Sequence, residues 1–257
     1  MNTSKPDRFS LAGKHALITG GTRGIGLAIA RGFAESGANV TVCGRKQEGV
    51  DSALVELDNH AGQLNGVAAH VGKVEDIARL LQEAEGKFGD IDILVNNAGT
   101  NPYFGTIVDS EDWAWDRTMD VNLKGPYRLS RILGKKMIEH GGGSIINIAS
   151  IAGLSAAKMQ GIYSVTKAGL IMLTKVMARE LGTHKVRVNC ICPGVIRTRL
   201  AAALVEDEEK EKAVAAMKAL GRIGSTDELV GAAIYFASNA SSFTTGAVLQ
   251  VDGGMVL

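Results

Sequence analysis

Short apolar runs alternate along the chain with longer segments in which apolar residues recur at helical spacing. Successive apolar positions within the short runs indicate strands covered on both faces, as in a parallel sheet. Because strands and helices alternate, the pattern predicts an α/β fold with a doubly wound Rossmann-type sheet. The predicted strands are His15–Thr19, Asn39–Cys43, Leu64–Val71, Ile91–Val95, Ser144–Ala149, Lys185–Ile191 and Ala247–Val251. The predicted helices are one that ends at Phe33, then Gln47–His60, Glu75–Phe88, about Ser110–His140, and Tyr163–Leu181.

The order of these elements shows no linker, internal repeat or low-complexity segment, so we expect one domain over residues 1–257, with a polar extension at 1–10. The stretch from about 195 to 226 differs, because it carries the charged run Glu206–Lys212 after the sixth strand. A solvated helix explains the charges. The position at the carboxyl edge of the sheet, where ligands bind in such folds, favours a mobile lid over the substrate.

The charge of the chain restricts its partners. The 28 basic and 27 acidic residues leave a net charge of +1, and the basic residues are scattered, which argues against binding nucleic acid or an anionic membrane. No apolar segment matches a signal peptide or a bilayer span, so the expected location is the cytoplasm. Cys43, Cys190 and Cys192 lack the spacing of a metal site and are predicted to be buried reduced thiols.

A glycine-rich segment, Thr19–Gly26, joins the first strand to the first helix. Glycine lets the backbone approach a phosphate closely, and the helix that follows presents free N–H groups and a positive dipole end. A plain glycine-rich turn is the alternative, but the flanking strand and helix favour a dinucleotide site. The residues expected to contact the cofactor here are Gly20, Thr22, Arg23, Gly24, Ile25 and Gly26.

The end of the second strand predicts which dinucleotide binds. NAD sites usually place a carboxylate there for the ribose 2′-hydroxyl, whereas this chain reads Cys43-Gly-Arg-Lys46. A carboxylate would repel a 2′-phosphate, and a guanidinium can bind it bidentately. Arg45, with Arg23 from the glycine-rich segment, therefore favours NADP(H), although each basic residue taken alone is also typical of a solvated surface.

Tyr163 and Lys167 are four residues apart and share one face of a predicted helix. A nearby cation favours the phenolate, which suits a tyrosine that works as a general acid or base. Ser150, at the end of the fifth strand, can bind a substrate oxygen and stabilise developing charge. Asn122 is a poor helix former inside a predicted helix, so it is either exposed or holds a specific position.

Together these motifs resemble those of the short-chain dehydrogenases/reductases, and the resemblance runs from Leu11 to Gly254. It implies a seven-stranded parallel sheet in the order 3-2-1-4-5-6-7, and a homotetramer or dimer assembled through the long fourth and fifth helices. It also implies that Tyr163 is the acid/base, that Ser150 binds the substrate oxygen, and that Lys167 holds the ribose. Asn122 would hold a water that relays protons to Lys167. The further cofactor contacts that it implies are Asn97, Ala98 and Gly99 on the adenosine side and Pro193, Gly194 and Thr198 on the nicotinamide side.

One position departs from the family pattern: His70 stands before Val71, where many relatives have an aspartate that contacts the adenine. The adenine contact is therefore left open. Thr100–Phe104, Leu154, Met159 and the lid are expected to enclose a mostly apolar pocket for a small or medium-sized ketone or alcohol.

The predicted activity is the NADPH-dependent reduction of a carbonyl group. Reduction of a 3-oxoacyl-carrier-protein thioester is an alternative that requires a basic docking patch. The residues that can contribute to such a patch are Arg131, Lys135, Lys136 and Lys185. A non-catalytic NADPH-binding sensor or scaffold is an alternative of another class.

Overall fold

The predicted strands form one parallel sheet in the computed structural model, which describes residues 7–58 and 62–256. The strand order is β3-β2-β1-β4-β5-β6-β7, and every neighbouring pair is parallel, which confirms the predicted topology. The strands are β1 His15–Thr19, β2 Asn39–Gly44, β3 Leu64–Ala68, β4 Ile93–Asn96, β5 Gly143–Ile148, β6 Val186–Pro193 and β7 Val248–Val251.

Helices cover both faces of this sheet because successive strand residues point to opposite sides. In β1, Ile18 packs into the core that holds Phe33 and Phe236, whereas its neighbour Leu17 packs into the core that holds Leu129. The helices are α1 Gly24–Glu35, α2 Gln47–Leu57, α3 Val74–Phe88, α4 Asp112–Met119, α5 Gly125–Glu139, α6 Gly161–Leu181, α7 Glu208–Ala216 and α8 Val230–Ala237. Among the described residues, no helix has both the length and the apolar character needed to cross a bilayer.

The predicted helix from Ser110 to His140 is wrong as a single element. A π-helical turn, Asp120–Lys124, separates α4 from α5. Such turns widen the helix by one residue and are frequent at functional sites. Here the turn contains the buried Asn122.

Smaller differences concern the ends of elements. β3 ends at Ala68 rather than Val71, and β6 begins at Val186 because Lys185 adopts a left-handed backbone conformation with φ of 61°. The second helix ends at Leu57, and its predicted end, His60, lies outside the described residues, as do residues 1–6 of the polar extension.

The stretch from 195 to 226 contains a 3-10 turn, Arg199–Leu204, followed by α7. None of the described side chains of α7 is buried, and its charges form exposed pairs such as Lys210–Glu206 and Lys212–Glu208. The charged run is therefore a solvated helix. Both ends of the stretch meet in the backbone hydrogen bond from Arg197 N to Gly224 O.

Candidate active site

Tyr163 and Lys167 occupy the first turns of α6 and are both buried. The Lys167 Nζ lies 5.5 Å from the centroid of the Tyr163 ring, so the two side chains are adjacent, as their spacing predicts. Burial raises the pKa of Tyr163 to about 12, and its hydrogen bond with Ser150 opposes that rise. Burial also lowers the pKa of Lys167 to about 8.

A cation that favoured the phenolate would lower the pKa of Tyr163, whereas the pKa of Tyr163 is raised. Desolvation disfavours a charged phenolate more strongly than the hydrogen bond from Ser150 favours it. Lys167 lies over the Tyr163 ring, and burial also disfavours the charged form of Lys167, which lowers the pKa of its ammonium. The phenol consequently keeps its proton at neutral pH.

Backbone and side-chain contacts hold these two groups in place. The Lys167 Nζ donates to the carbonyl of Ile148, the last residue of β5, at 2.8 Å. Ser150 follows two residues later in an extended conformation and caps a short 3-10 turn by accepting from the N–H of Ala152. The end of β5 thus sets the positions of both Ser150 and Lys167.

Asn122 is fully buried, and its amide makes three hydrogen bonds. Its Nδ2 donates to the Thr100 carbonyl at 2.9 Å and to the Thr166 Oγ1 at 3.2 Å, while its Oδ1 accepts from the Thr100 N–H at 2.8 Å. The amide therefore joins the loop after β4 to α6. This fixed position answers the question that its poor helix propensity raised.

Two of the four candidate catalytic residues approach Gly99. A Cβ at Gly99 would lie 3.7 Å from the Asn122 Oδ1 and 3.7 Å from the Lys167 Nζ. The other two are linked to Lys167 by successive contacts, because the Tyr163 ring lies next to Lys167 and Ser150 is hydrogen-bonded to Tyr163.

The glycine-rich segment has the shape that a pyrophosphate site requires. Gly20 has φ of 63°, and a Cβ at Gly26 would meet the Gly20 carbonyl at 2.3 Å, so neither position tolerates a side chain without movement. A Cβ at Gly24 would lie 3.5 Å from Thr198, which places the nicotinamide-side loop directly across from the start of α1. No side chain caps α1, and its first turn carries no acidic residue, so its N–H groups and positive end are available to a phosphate. These features fit a dinucleotide.

Thr22, Arg23 and Ile25 complete this segment. Thr22 lies against the end of β2, because a Cβ at Gly44 would meet its Oγ1 at 3.0 Å. Arg23 is the exposed residue that precedes α1, and Ile25 packs partly buried against the core.

Two exposed guanidinium groups flank the junction of this segment with β2. Among the described residues, neither Arg23 nor Arg45 forms a salt bridge. Burial lowers the pKa of His70, and the charges of Arg45 and Arg117 lower it further, which shows that the local potential is positive.

His70 itself has a defined ring orientation. Its Nδ1 accepts from the Gly72 N–H at 3.1 Å, and its backbone N–H donates to Asp76 at 2.7 Å. The ring proton of the neutral histidine therefore lies on Nε2.

The segment Asn96–Gly99, which begins at the last residue of β4, supports the glycine-rich segment through hydrogen bonds. The Asn97 Nδ2 donates to the carbonyls of Thr19 and Gly20 at 3.0 Å each, and the Ala98 N–H donates to the Thr19 Oγ1. The side chain of Asn97 is therefore occupied in shaping the glycine-rich segment. Pro193 is the last residue of β6, and the Gly194 N–H donates to the Val251 carbonyl.

Sequence reasoning missed one residue at this site, Thr166, and the backbone conformation of another, Met159. Thr166 donates to the Tyr163 carbonyl at 2.8 Å and accepts from Asn122, so it links the π-helical turn to the candidate tyrosine. Its buried position between Tyr163 and Lys167 was the available signal. Met159 has a left-handed φ of 64°, and its carbonyl accepts from Gly105, which joins the two expected walls of the pocket. No pattern in the sequence indicates that conformation.

A cleft lies beside the stretch expected to form the lid. It has a volume of about 780 Å³ and is lined by Arg197, Thr198, Arg199, Ala202, Val205 and Glu206. Charged and apolar groups both line this cleft, and the mostly apolar substrate pocket stays a prediction.

Comparison with known proteins identifies the family. A family model described as enoyl-(acyl carrier protein) reductase matches residues 20–256. The human dehydrogenase/reductase SDR family member 4 is 40% identical over 247 residues, which cover 96% of this chain and 89% of that protein. The chain belongs to the short-chain dehydrogenase/reductase family. Members of this family are oxidoreductases that use a nicotinamide cofactor.

Solved structures show the same likeness for this family member. A putative gluconate dehydrogenase from Agrobacterium tumefaciens superposes with a TM-score of 0.93 at 34% identity, covering 97% of this chain and 99% of that one. A gluconate 5-dehydrogenase from Burkholderia cenocepacia, in complex with NADP and tartrate, gives a TM-score of 0.92 at 37% identity, covering 97% of each chain. Both likenesses extend over nearly the whole chain.

Proposed function

We propose that this short-chain dehydrogenase/reductase reduces a ketone or aldehyde to the alcohol, with Tyr163 as the proton donor and NADPH as the cofactor. The observation that carries the proposal is the buried contact of Tyr163 with Ser150 and Lys167. When bound, NADPH supplies the hydride to the carbonyl carbon.

The roles of the catalytic residues follow from their positions. Ser150 binds the carbonyl oxygen and stabilises the charge that develops on it. Tyr163 gives its phenolic proton to that oxygen, and a phenol whose pKa is about 12 is fully protonated before the reaction at neutral pH. The alcohol leaves, and a proton from solvent restores the phenol through Lys167.

Lys167 and Asn122 serve this proton transfer by position and charge. The ammonium of Lys167 offsets the negative charge that the phenolate carries until it is reprotonated. It also binds the nicotinamide ribose. Asn122 orders the loop at Thr100 beside Lys167 and holds the water from which Lys167 is resupplied.

The free cations near β2 support NADPH rather than NADH. Arg45 and Arg23 are exposed without acidic partners among the described residues, and the surrounding potential is positive. A 2′-phosphate would bind between Arg45 and Arg23. The rest of the cofactor would contact the glycine-rich segment and the residues around Gly194. The complexed NADP in the Burkholderia gluconate 5-dehydrogenase is consistent with this choice.

The experiment on cofactor choice is the replacement Arg45→Asp. It should lower the ratio of kcat/KM for NADPH over NADH about a hundredfold, since hydrogen bonds to a charged group are worth about 1.5–3 kcal/mol. Lys87→Asp, at the end of α3, makes the same charge change at the opposite edge of the sheet, where Phe88 packs on the first residue of β1, and should leave the ratio unaltered. A wild-type enzyme that prefers NADH would contradict the proposal.

The substrate is best sought among ketones of small to medium size. Tyr103, Phe104, Leu154 and Met159 supply apolar walls, whereas the lid at 195–226 adds Arg197 and other polar groups. Oxidation of NADPH should therefore be followed over aryl, cyclic and hydroxy-acid ketones, with acetoacetyl and enoyl thioesters included because of the matching family model.

A carrier-protein substrate receives less support from the surface. Lys185 precedes β6 and so lies at the amino edge of the sheet, opposite the end of β5 where Ser150 stands. Lys136 is paired with Glu85 at 2.6 Å. Two of the four residues expected to form a docking patch are therefore poorly placed to bind a carrier protein beside the candidate site. A preference for a carrier-protein thioester over the free thioester would favour this alternative.

A further inference from the structure

The two ends of the lid meet beside the last residues of the chain. The carbonyl of Val195 accepts from the Gly224 N–H at 3.4 Å, and Arg197 N donates back to Gly224 O at 2.9 Å. The segment that follows α7 pairs with the C-terminal tail, through Ala219 N to Gly254 O and Leu220 N to Gly253 O. Three chain segments therefore converge immediately after Pro193-Gly194.

Lys218 lies at the centre of this convergence and is only 5% exposed, which is rare for a lysine. Its Nζ donates to the Val195 carbonyl at 2.6 Å. Its aliphatic stem passes the backbone of Gly253, where a Cβ would lie 3.6 Å from the Lys218 Cδ. Asp252 is the acidic residue with the largest electrostatic effect on Lys218. Its two carboxylate oxygens, however, accept from the N–H groups of Gly254 and Val256.

The partner of this buried ammonium is thus a backbone carbonyl rather than a carboxylate. Burying a cation is costly, and one hydrogen bond to a neutral acceptor offsets only part of the cost. Replacement by an apolar residue would remove the cost, so packing alone gives no reason for an ammonium here. The bond does restrain the Val195 main chain, which directly follows the pair expected to contact the nicotinamide.

We propose that Lys218 is a positioning residue that fixes the Val195 main chain at the nicotinamide end of the cofactor site and ties it to the lid. The proposal rests on the proposed nicotinamide-dependent function. Lys218 touches neither substrate nor the reacting atoms. It acts through the loop that contains Gly194 and Thr198, and Thr198 lies across from Gly24 of the pyrophosphate site.

The test compares dissociation constants for NADPH and for 2′,5′-ADP, which carries only the adenosine half of the cofactor. In Lys218→Met, the dissociation constant for NADPH should rise about tenfold, as expected for the loss of one charge-assisted hydrogen bond. That for 2′,5′-ADP should stay within about twofold, because its 2′-phosphate would bind at the end of β2, four strand positions from the end of β6 that Val195 follows. Lys218→Arg keeps a charged donor and should recover part of the NADPH affinity.

Arg187→Met is the control for a variant that loses stability while the Val195 main chain keeps its position. Arg187 is a partly buried cation that donates to the Ser238 carbonyl at the amino end of β6. Its replacement should lower the melting temperature and leave both dissociation constants unchanged.

The positioning role would be overturned if Lys218→Met left the dissociation constant for NADPH unchanged. It would also be overturned if the dissociation constants for NADPH and 2′,5′-ADP rose equally. A wild-type preference for NADH would contradict only the proposed cofactor, and the pair NADH and ADP-ribose would then report on Lys218 in the same way. Absence of binding of either nicotinamide cofactor to the wild type would overturn both proposals.

Discussion

At the scale of single residues, Tyr163 combines a buried phenol with two polar neighbours. Because its pKa is raised to about 12, Tyr163 would start the proposed reduction as an acid. Tyr163→Phe should lower kcat about 10²- to 10⁴-fold, because general acid catalysis usually accelerates a reaction by that factor. NADPH binding should stay unchanged. Tyr235→Phe removes a phenol that is bonded to Thr244, outside the candidate site, and should retain activity. Unchanged turnover in Tyr163→Phe would overturn its role as the proton donor, whereas NADPH binding without turnover in the wild type would favour a non-catalytic sensor or scaffold.

Lys167 gives the enzyme a distinct dependence on pH. Its pKa in the folded protein is about 8, below the ordinary 10.5 of the unfolded chain. Between these values the unfolded state binds more protons, so the free energy of unfolding contributed by this group rises with pH from about 8 to 10.5 and is lost as pH falls. Lys167→Met should remove that rise, measured by denaturant unfolding at several pH values.

The same titration should appear in catalysis. Above about pH 8 the lysine loses its charge, so NADPH-dependent reduction should decline there in the wild type. A reduction rate that stays constant up to pH 10 would contradict the electrostatic role of Lys167.

At the scale of elements, the π-helical turn explains how Asn122 comes to face the site. An asparagine within a regular α-helix offers its amide mostly to solvent, whereas the widened turn directs it towards Thr100 and Thr166. Asn122→Ala should leave the Thr100 backbone groups without partners and lower the free energy of unfolding by about 2 kcal/mol. It should also lower kcat more than it changes KM, because the proton supply at Lys167 loses its order.

Steady-state kinetics together with chemical unfolding would measure both effects. Asn101→Ala is the matched control, since that amide makes only a 3.4 Å bond to Gln160 at the pocket wall. A loss of stability in Asn122→Ala without any loss of kcat would assign Asn122 a purely structural role.

The sequence was sufficient for the elements whose pattern is local. The parallel strands are continuous apolar runs, and Tyr163, Lys167 and the glycine-rich segment follow from fixed spacings. The π-helical turn was missed because one extra residue hardly changes a helical hydrophobic period. Lys218 was missed because it follows a charged run, and only tertiary packing against Gly253 buries it. The raised pKa of Tyr163 depends on burial, which spacing does not report.

At the scale of the whole molecule, α6 carries an apolar stripe that this chain leaves uncovered. Val165, Met172 and Val176 share one face of the helix and are each more than two-fifths exposed, at 44%, 57% and 43%. Trp113 and Tyr127, on α4 and α5, add further exposed apolar surface. Contiguous apolar surface of this kind marks a protein interface more often than a solvated face.

We propose that these helices form the contact between copies of the chain in a homo-oligomer, with a tetramer favoured over a dimer. Light scattering should then give a mass that is a multiple of the 27.0 kDa chain. Met172→Glu combined with Val176→Glu should shift the mass downwards, because two carboxylates would be buried without partners at each contact. Val55→Glu, on α2 at a position that is 76% exposed, adds a similar charge elsewhere and should leave the mass unchanged. A monomeric wild type would contradict the assembly, whereas a double variant that keeps the wild-type mass would place the contact on another surface.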